Sequence, residues 1–188
     1  MNTALRLHHC ENDSRVNGPG RRFVIWVQGC TLNCPGCFNP ETHSKNGGTL
    51  VPVSELAQQM LQQANRLEGL TLSGGEPLFQ AAALTALLRE IRRQSRLSVI
   101  LLSGFSLEEI NKMPVAKDLL SLVDVLIAGR YEQSQRIASH MIGSANKSVQ
   151  FLTSRYSHID LNIDAAEVFI HEDGTIILSG FDPLQWQA

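Results

Sequence analysis

Three of the four cysteines of this chain sit in one short stretch, Gly29-Cys30-Thr31-Leu32-Asn33-Cys34-Pro35-Gly36-Cys37-Phe38-Asn39-Pro40. The spacing C-x₃-C-x₂-C lets three thiolates converge on one centre without help from distant parts of the fold. Soft thiolates select zinc, copper(I) or iron–sulfur clusters. Gly29, Pro35 and Gly36 suit a backbone that wraps closely around such a centre, because glycine tolerates positive φ and close approach. Three cysteines leave one position of a four-ligand centre open. On zinc, an open position means hydrolytic or deaminase chemistry. On a [4Fe–4S] cluster, it leaves one iron free to bind a small molecule. Clusters usually take four cysteines, and Cys10 is the available fourth. His43 is the candidate for a closed Cys₃His zinc site.

A second motif bears on this choice. Ser73-Gly74-Gly75-Glu76-Pro77 offers exposed backbone groups and one carboxylate, which is what an amino-acid ammonium requires. Alone, Gly-Gly-Glu is only a turn. Paired with the cysteine triplet in one α/β chain, it is a specific signal.

The elements that must position these motifs can be read from periodicity. The apolar run Phe23-Val24-Ile25-Trp26-Val27 reads as a buried strand, so the cysteines leave its C-terminal end, where α/β sheets bind ligands. Residues 54–67 carry Leu56, Met60, Leu61, Ala64 and Leu67 at helical spacing, with Ser54 as N-cap. Leu70-Thr71-Leu72 is a short strand feeding the Gly-Gly turn. Leu84, Leu87, Leu88 and Ile91 define an amphipathic helix over 79–94, with Arg89, Arg92 and Arg93 on its solvated side. Strands follow at 97–102 and 123–128, and Ser106-Leu107-Glu108-Glu109 reads as a capping box between them. Alternating strands and helices mean an α/β protein with a parallel sheet. Four strands end in glycine turns, Gln28-Gly29, Ser73-Gly74, Ser103-Gly104 and Ala128-Gly129, and these ends share one edge of the sheet. Residues 41–52 are polar and glycine-rich and read as a loop. Residues 1–20 hold a short segment with His8, His9 and Cys10 that reads as a partly exposed N-terminal strand, with an extension of the metal site as the alternative, and it ends in the turn Asn17-Gly18-Pro19-Gly20. Residues 147–153 suit a further strand. Near the end, Glu167-Val168-Phe169-Ile170 and Thr175-Ile176-Ile177-Leu178 flank His171-Glu172-Asp173-Gly174, a β-hairpin signal.

The 188 residues suit one domain, and a net charge of −2 argues against a dominant nucleic-acid footprint. No apolar run approaches the roughly 20 residues of a membrane helix. The polar N-terminus lacks a signal-peptide core, so a cytoplasmic protein is expected, whose cysteines serve metal or redox chemistry rather than disulfides.

The chain resembles the radical S-adenosylmethionine (SAM) superfamily and, within it, the activating proteins of glycyl-radical enzymes, those of anaerobic ribonucleoside-triphosphate reductases in particular. The resemblance covers residues 16–155. It runs through Val16-Asn17-Gly18-Pro19-Gly20, Gln28-Gly29-Cys30, Cys34-Pro35-Gly36-Cys37 and Leu72-Ser73-Gly74-Gly75-Glu76-Pro77-Leu78. It continues through Ser103-Gly104-Phe105, Val125-Leu126-Ile127-Ala128-Gly129-Arg130-Tyr131 and Ile142-Gly143-Ser144-Ala145-Asn146. Gly36 before the third cysteine departs from the aromatic residue of most of the superfamily and agrees with the reductase activases.

The resemblance implies a partial (β/α) barrel over residues 1–155 and a [4Fe–4S] cluster on Cys30, Cys34 and Cys37. It implies that SAM chelates the open iron, with Gly74, Gly75 and Glu76 at its amino group. Ser103 and Gly129 would lie near its ribose and adenine, and Phe38 and Asn39 join the cofactor-binding set. Reductive cleavage of SAM would give a 5′-deoxyadenosyl radical that abstracts a hydrogen atom. The implied partners are a large glycyl-radical enzyme, such as an anaerobic ribonucleotide reductase, and a flavodoxin- or ferredoxin-type reductant. Residues 156–188, with the hairpin, are an extension beyond the activase pattern. They leave a different peptide or small-molecule substrate as the alternative, and a structural zinc module as the remote one.

Overall fold

The computed structural model describes residues 3–137, 141–163, 166–170 and 173–180. In chain order the elements are β1 (Ala4–Ser14), β2 (Arg22–Val27), β3 (Thr49–Pro52), α1 (Val53–Leu61), β4 (Gly69–Gly74), α2 (Ala81–Gln94) and β5 (Ser98–Ser103). They continue with α3 (Leu107–Asn111), α4 (Pro114–Leu120), β6 (Val125–Ala128), β7 (Ser148–Phe151), β8 (Ala166–Ile170) and β9 (Ile176–Gly180). One sheet has the order β3-β1-β2-β4-β5-β6-β7, and β8 and β9 form a separate antiparallel hairpin. The neighbours β2, β4, β5 and β6 are parallel. The fold is α/β as the alternation required, but the sheet is mixed: β1, β3 and β7 run antiparallel to their neighbours.

The parallel strands are buried on both faces, which is why they read as continuous apolar runs. Phe23, Ile25, Val27, Leu70, Leu72, Val99, Leu101 and Leu126 share a core with Leu56, Met60, Leu84, Leu87, Leu88, Ile91 and Leu119 of the helices. The alternate residues Ile100, Leu102, Val125 and Ile127 pack with Met141 and Leu161 on the other face. Helices therefore cover one side only, the pattern of a partial (β/α) barrel.

The base of the inner face is closed by a polar knot. Arg22 is fully buried. Its guanidinium donates to Thr71 Oγ1 (2.8 Å), Ser98 Oγ (3.0 Å) and the Leu70 carbonyl (2.7 Å). Gly69 lies between Arg22 and Ser98 in register, and any Cβ there would collide with both. Tyr156, the first residue of the extension, joins the knot through Ser98 Oγ and Glu68 Oε1, each at 2.7 Å.

Several boundaries differ from the sequence reading. The segment containing His8, His9 and Cys10 is the expected N-terminal strand, but it runs to 11 residues and is paired on both sides. Its outer partner β3 lies inside the stretch expected to be loop. A four-residue edge strand ending in proline carries little periodic signal. The first helix begins at Val53 rather than at a Ser54 cap. Pro52 holds the capping position, and the Val53 N–H is satisfied by the Thr3 carbonyl at 2.9 Å. It leaves α geometry after Leu61, where bonds such as Arg66 N–H to Gln63 O (2.8 Å) tighten the chain into turns. A 3₁₀ turn, Pro77–Gln80, precedes α2. The capping box forms as read, with Ser106 N–H to Glu109 Oε2 at 2.7 Å and Glu109 N–H to Ser106 Oγ at 3.2 Å. The predicted hairpin is present with Ala166 opposite Gly180. His171 and Glu172 of its turn, and residues 181–188, lie outside the described residues.

Candidate functional site

The cysteine loop leaves β2 and is held by backbone on both sides. Gly29 N–H donates to Thr42 O (2.8 Å) and Cys30 N–H to His43 O (3.1 Å). Gln28, 4% exposed, donates from Nε2 to the carbonyls of Glu41 (3.1 Å) and Ser44 (2.7 Å). Gln80 Nε2 caps the Gln28 carbonyl at 3.1 Å. Within the loop, Asn33 (φ 48°) and Gly36 (φ 68°) take left-handed conformations that let it curl inward.

The second motif is bonded directly to the first. Gly75 N–H donates to Val27 O (2.8 Å) and Glu76 N–H to Gly29 O (2.9 Å). A Cβ on Gly75 would lie 2.5 Å from the Gly29 carbonyl oxygen, so only glycine admits this approach. Glu76 is fully buried. Its Oε1 accepts from Leu78 N–H (2.9 Å) and Ser103 Oγ (2.9 Å), and its Oε2 from Gly104 N–H (2.7 Å). Burial pushes this carboxyl above its ordinary range, opposed by the Leu78, Gly104 and Ser103 donors and by the Arg130 charge. Glu76 therefore bolts the end of β4 to the end of β5.

Cys30, Cys34 and Cys37 line one cavity together with Phe38, Asn39, Gly74, Gly75, Glu76 and Ser103. Every residue expected at the site except Gly129 borders this space. Gly129 lies at the end of β6, where an added Cβ would be 3.3 Å from the Cα of Lys147. Lys147, Tyr131 and His43 also line the cavity and were not singled out as cofactor contacts. Tyr131 packs on Phe38 with ring centroids 4.4 Å apart. Gln28 belongs to the Gln28-Gly29-Cys30 motif, but no sequence signal pointed to Lys147. Burial pushes the Cys30 and Cys37 thiols up, and the neighbouring thiols add to the rise.

Cys10 is elsewhere. It pairs with Ile25 across the β1–β2 ladder and packs against the helical-side core. Its thiol is raised to about 11, by burial and then by Glu11. Among the described residues no group of three or more His, Cys, Asp or Glu is gathered for a single metal ion. The zinc reading, with Cys10 or His43 as fourth ligand, thus finds no single-ion set among the described residues. Three free thiols lining one cavity are the donor set a [4Fe–4S] cluster would take, and Cys30, Cys34 and Cys37 are the residues that would hold it.

This donor set, at the C-terminal edge of parallel strands, defines an iron–sulfur enzyme rather than a structural metal module. Residues 16–150 match the model of the 4Fe-4S single cluster domain, and the chain belongs to that family as a radical SAM enzyme of the glycyl-radical activase group. It is 32% identical over 148 residues to the anaerobic ribonucleoside-triphosphate reductase-activating protein of Enterobacteria phage T4, covering 76% of this chain and 89% of that one. It is 30% identical over 144 residues to the protein of that name in Escherichia coli K12, covering 73% of this chain and 92% of that one. The pyruvate formate-lyase 1-activating enzyme of the same bacterium is 27% identical over 151 residues, which cover 78% of this chain but 60% of that enzyme. A [4Fe–4S] cluster and SAM are the cofactors of this group. No helix among the described residues is long and apolar enough to cross a membrane.

Proposed function

We propose that this protein generates a glycyl radical on an anaerobic ribonucleotide reductase, in the cytoplasm, with electrons from a flavodoxin- or ferredoxin-type donor. The observation that carries this reading is the extent of the match. It spans 89% and 92% of the two reductase-activating proteins, against 60% of the formate-lyase activase. In this reading Cys30, Cys34 and Cys37 hold the cluster, and the Gly74-Gly75 edge receives the SAM ammonium on backbone carbonyls. Ser103, Phe38, Asn39 and Gly129 shape the nucleoside side. When bound, the cluster and SAM together supply a primary carbon radical that removes one hydrogen atom from the substrate. The chain's own part is orientation and exclusion of water: the Phe38–Tyr131 pair and Leu32 wall the cavity, and Gln28 fixes the loop.

One observation favours a different peptide substrate as the second reading. The hairpin residues Leu178, Ser179 and Gly180 line a groove with His8, Trp26 and Glu41, and this groove shares Phe38, Asn39 and Ser73 with the cysteine cavity. The hairpin is tied to the N-terminal turn by Asn17 Nδ2 to Ser179 Oγ and Arg15 N–H to Glu167 Oε2, each at 3.0 Å. We read residues 156–188 as an extension of the same domain that forms one wall of the substrate path. The test is electron paramagnetic resonance of the reduced, SAM-loaded protein mixed with the reductase of the same organism. A glycyl signal with matching 5′-deoxyadenosine is expected. SAM cleavage without that signal overturns the reductase assignment. A version lacking residues 164–188 that still cleaves SAM but gives no signal would identify the extension as part of the substrate path.

A further inference from the structure

Cys30 and Leu32 line the cysteine cavity, whereas their neighbours Gly29 and Thr31 line a separate groove on the other side of the same loop. Among the described residues none is shared between this groove and either the cavity or the hairpin groove. Its floor is fixed by Gln80, whose Oε1 accepts from Arg6 N–H (2.8 Å) and whose Nε2 donates to the carbonyls of Arg6 (2.8 Å) and Gln28 (3.1 Å). Two cations stand around that floor. Arg6 donates to the Gly47 carbonyl at 3.0 Å, and Lys45 lies over Gly29, where a Cβ would be 4.0 Å from its Cα and Cγ. Among the described residues no ion pair engages either cation, and no Asp or Glu lines the groove. Glu41, on the same loop, lines the hairpin groove instead. Two apolar side chains complete the surface, Leu50 at 57% exposure and Phe79 at 48%. Phe79 is braced edge-on against Phe105, with ring centroids 5.7 Å apart. A braced aromatic and an aliphatic side chain left in water beside unpaired cations have the composition of an interaction surface.

We propose that the groove of Arg6, Lys45, Leu50 and Phe79 docks the electron donor, a small carrier protein with carboxylates around its redox group. Position and charge together name this occupant. Only the backbone of residues 29–31 separates the groove from the cavity, so a carrier seated there lies beside the Cys30 ligand position. The cavity and the hairpin groove stay free for SAM and substrate while the electron arrives. Unpaired cations favour an acidic partner and speed its encounter. A carrier must also leave after each delivery, which suits a small surface with few anchors. The step moves one electron: the carrier is oxidised by one, the cluster is reduced by one, and no bond forms or breaks. This inference rests on the reading that an external protein supplies the electron, and it is independent of which protein receives the radical.

The test is calorimetric titration of full-length, cluster-loaded protein with flavodoxin and with ferredoxin of the same organism, at about 0.05 M and about 0.3 M salt. Lys45→Glu should raise the carrier Kd about fivefold or more at the lower salt and much less at the higher. Leu50→Ser should weaken binding at both. Lys117→Glu makes the same change of charge on α4, away from the groove, and should bind as wild type. Reduction by the carrier should slow in Lys45→Glu, while reduction by dithionite, which needs no docking surface, should keep the wild-type rate. The proposal is overturned if neither carrier binds wild type, or if Lys45→Glu binds as wild type at the lower salt. It is overturned too if Lys117→Glu loses as much, which would make net charge the cause, or if dithionite reduction slows equally, which would place the defect in the cluster. Carrier affinity kept in Lys45→Glu with reductase binding lost would give this face to the partner enzyme instead. A glycyl radical that fails to form while the carrier still distinguishes these variants would refute the reductase assignment and leave this inference standing.

Discussion

Replacing Glu76 separates a ligand from a brace. The resemblance to radical SAM enzymes assigns its carboxylate to the SAM ammonium, yet the side chain is fully buried and already accepts three hydrogen bonds at 2.7–2.9 Å. Truncation to alanine leaves the Leu78 and Gly104 N–H groups and the Ser103 hydroxyl without an acceptor. Each unmet buried donor costs about 1–3 kcal/mol, and the hydroxyl can turn elsewhere, so the two orphaned N–H groups cost about 2–6 kcal/mol. That is a large share of the roughly 5–15 kcal/mol by which domains are stable. Glu76→Gln is the sharper probe. Its amide keeps one acceptor oxygen. If the new NH₂ faces Gly104, that N–H is orphaned; if it faces Ser103 and Leu78, the hydroxyl can accept but the Leu78 N–H is orphaned. Either orientation loses one bond to a backbone donor, a cost of about 1–3 kcal/mol.

The assay is urea unfolding of the cluster-free protein, with no SAM present. The midpoint of Glu76→Gln should fall while the slope is unchanged. The pH dependence adds a signature. Burial, outweighing the donors, raises the folded carboxyl above its unfolded value. Its contribution is therefore fully present below the unfolded value and is lost as pH rises through the folded one. This decline should be missing from Glu76→Gln. An unfolding midpoint equal to wild type, together with lost SAM affinity in the loaded protein, would refute the brace and leave Glu76 a ligand only.

Three further outcomes follow from the same geometry. Anaerobically reconstituted Cys10→Ala should retain about four irons per chain, and Cys30→Ala, Cys34→Ala and Cys37→Ala should lose them by iron and sulfide analysis; loss in Cys10→Ala would contradict its place in the core. Gly75→Ala, whose Cβ meets a backbone carbonyl at 2.5 Å, should separate the two motif loops and lower SAM affinity in equilibrium binding far more than Gly174→Ala, where nothing lies within 4 Å. Asp124 is buried, which alone would raise its carboxyl, but Val99 N–H (2.8 Å), Arg92 (2.7 Å) and Thr153 (2.8 Å) hold it below its ordinary range. Its stabilisation is present above the unfolded value and lost as pH falls through the folded one, so Asp124→Asn should flatten the acid limb of a thermal-stability profile.

The two motifs and the parallel strands were legible because each rests on local pattern: thiol spacing, a Gly-Gly turn, and apolar runs that only a doubly covered strand tolerates. The antiparallel edges were less legible, since β3 has four residues, none of them fully buried, and its partner β1 lies more than 40 residues earlier, Ala4 opposite Pro52 and Leu7 opposite Thr49. Cys10 shows why the site itself was partly ambiguous. Leu5 and Leu7 point into the core, so strict alternation would turn Cys10 to the opposite face, toward the cysteine loop. In the fold, Leu7 faces Val27 but His9 faces Trp26, so β1 carries one extra residue at His8. A single inserted residue reverses the facing of everything beyond it. Cys10 is thereby turned among the core side chains, and His9 stacks on Trp26 at 5.6 Å on the side of the hairpin groove. The displaced His8 bonds Gln28 Oε1 through Nδ1 at 3.1 Å, and Gln28 in turn holds the Glu41 and Ser44 carbonyls. The bulge that removes the fourth cysteine from reach thus also supplies a support for the loop that carries the other three.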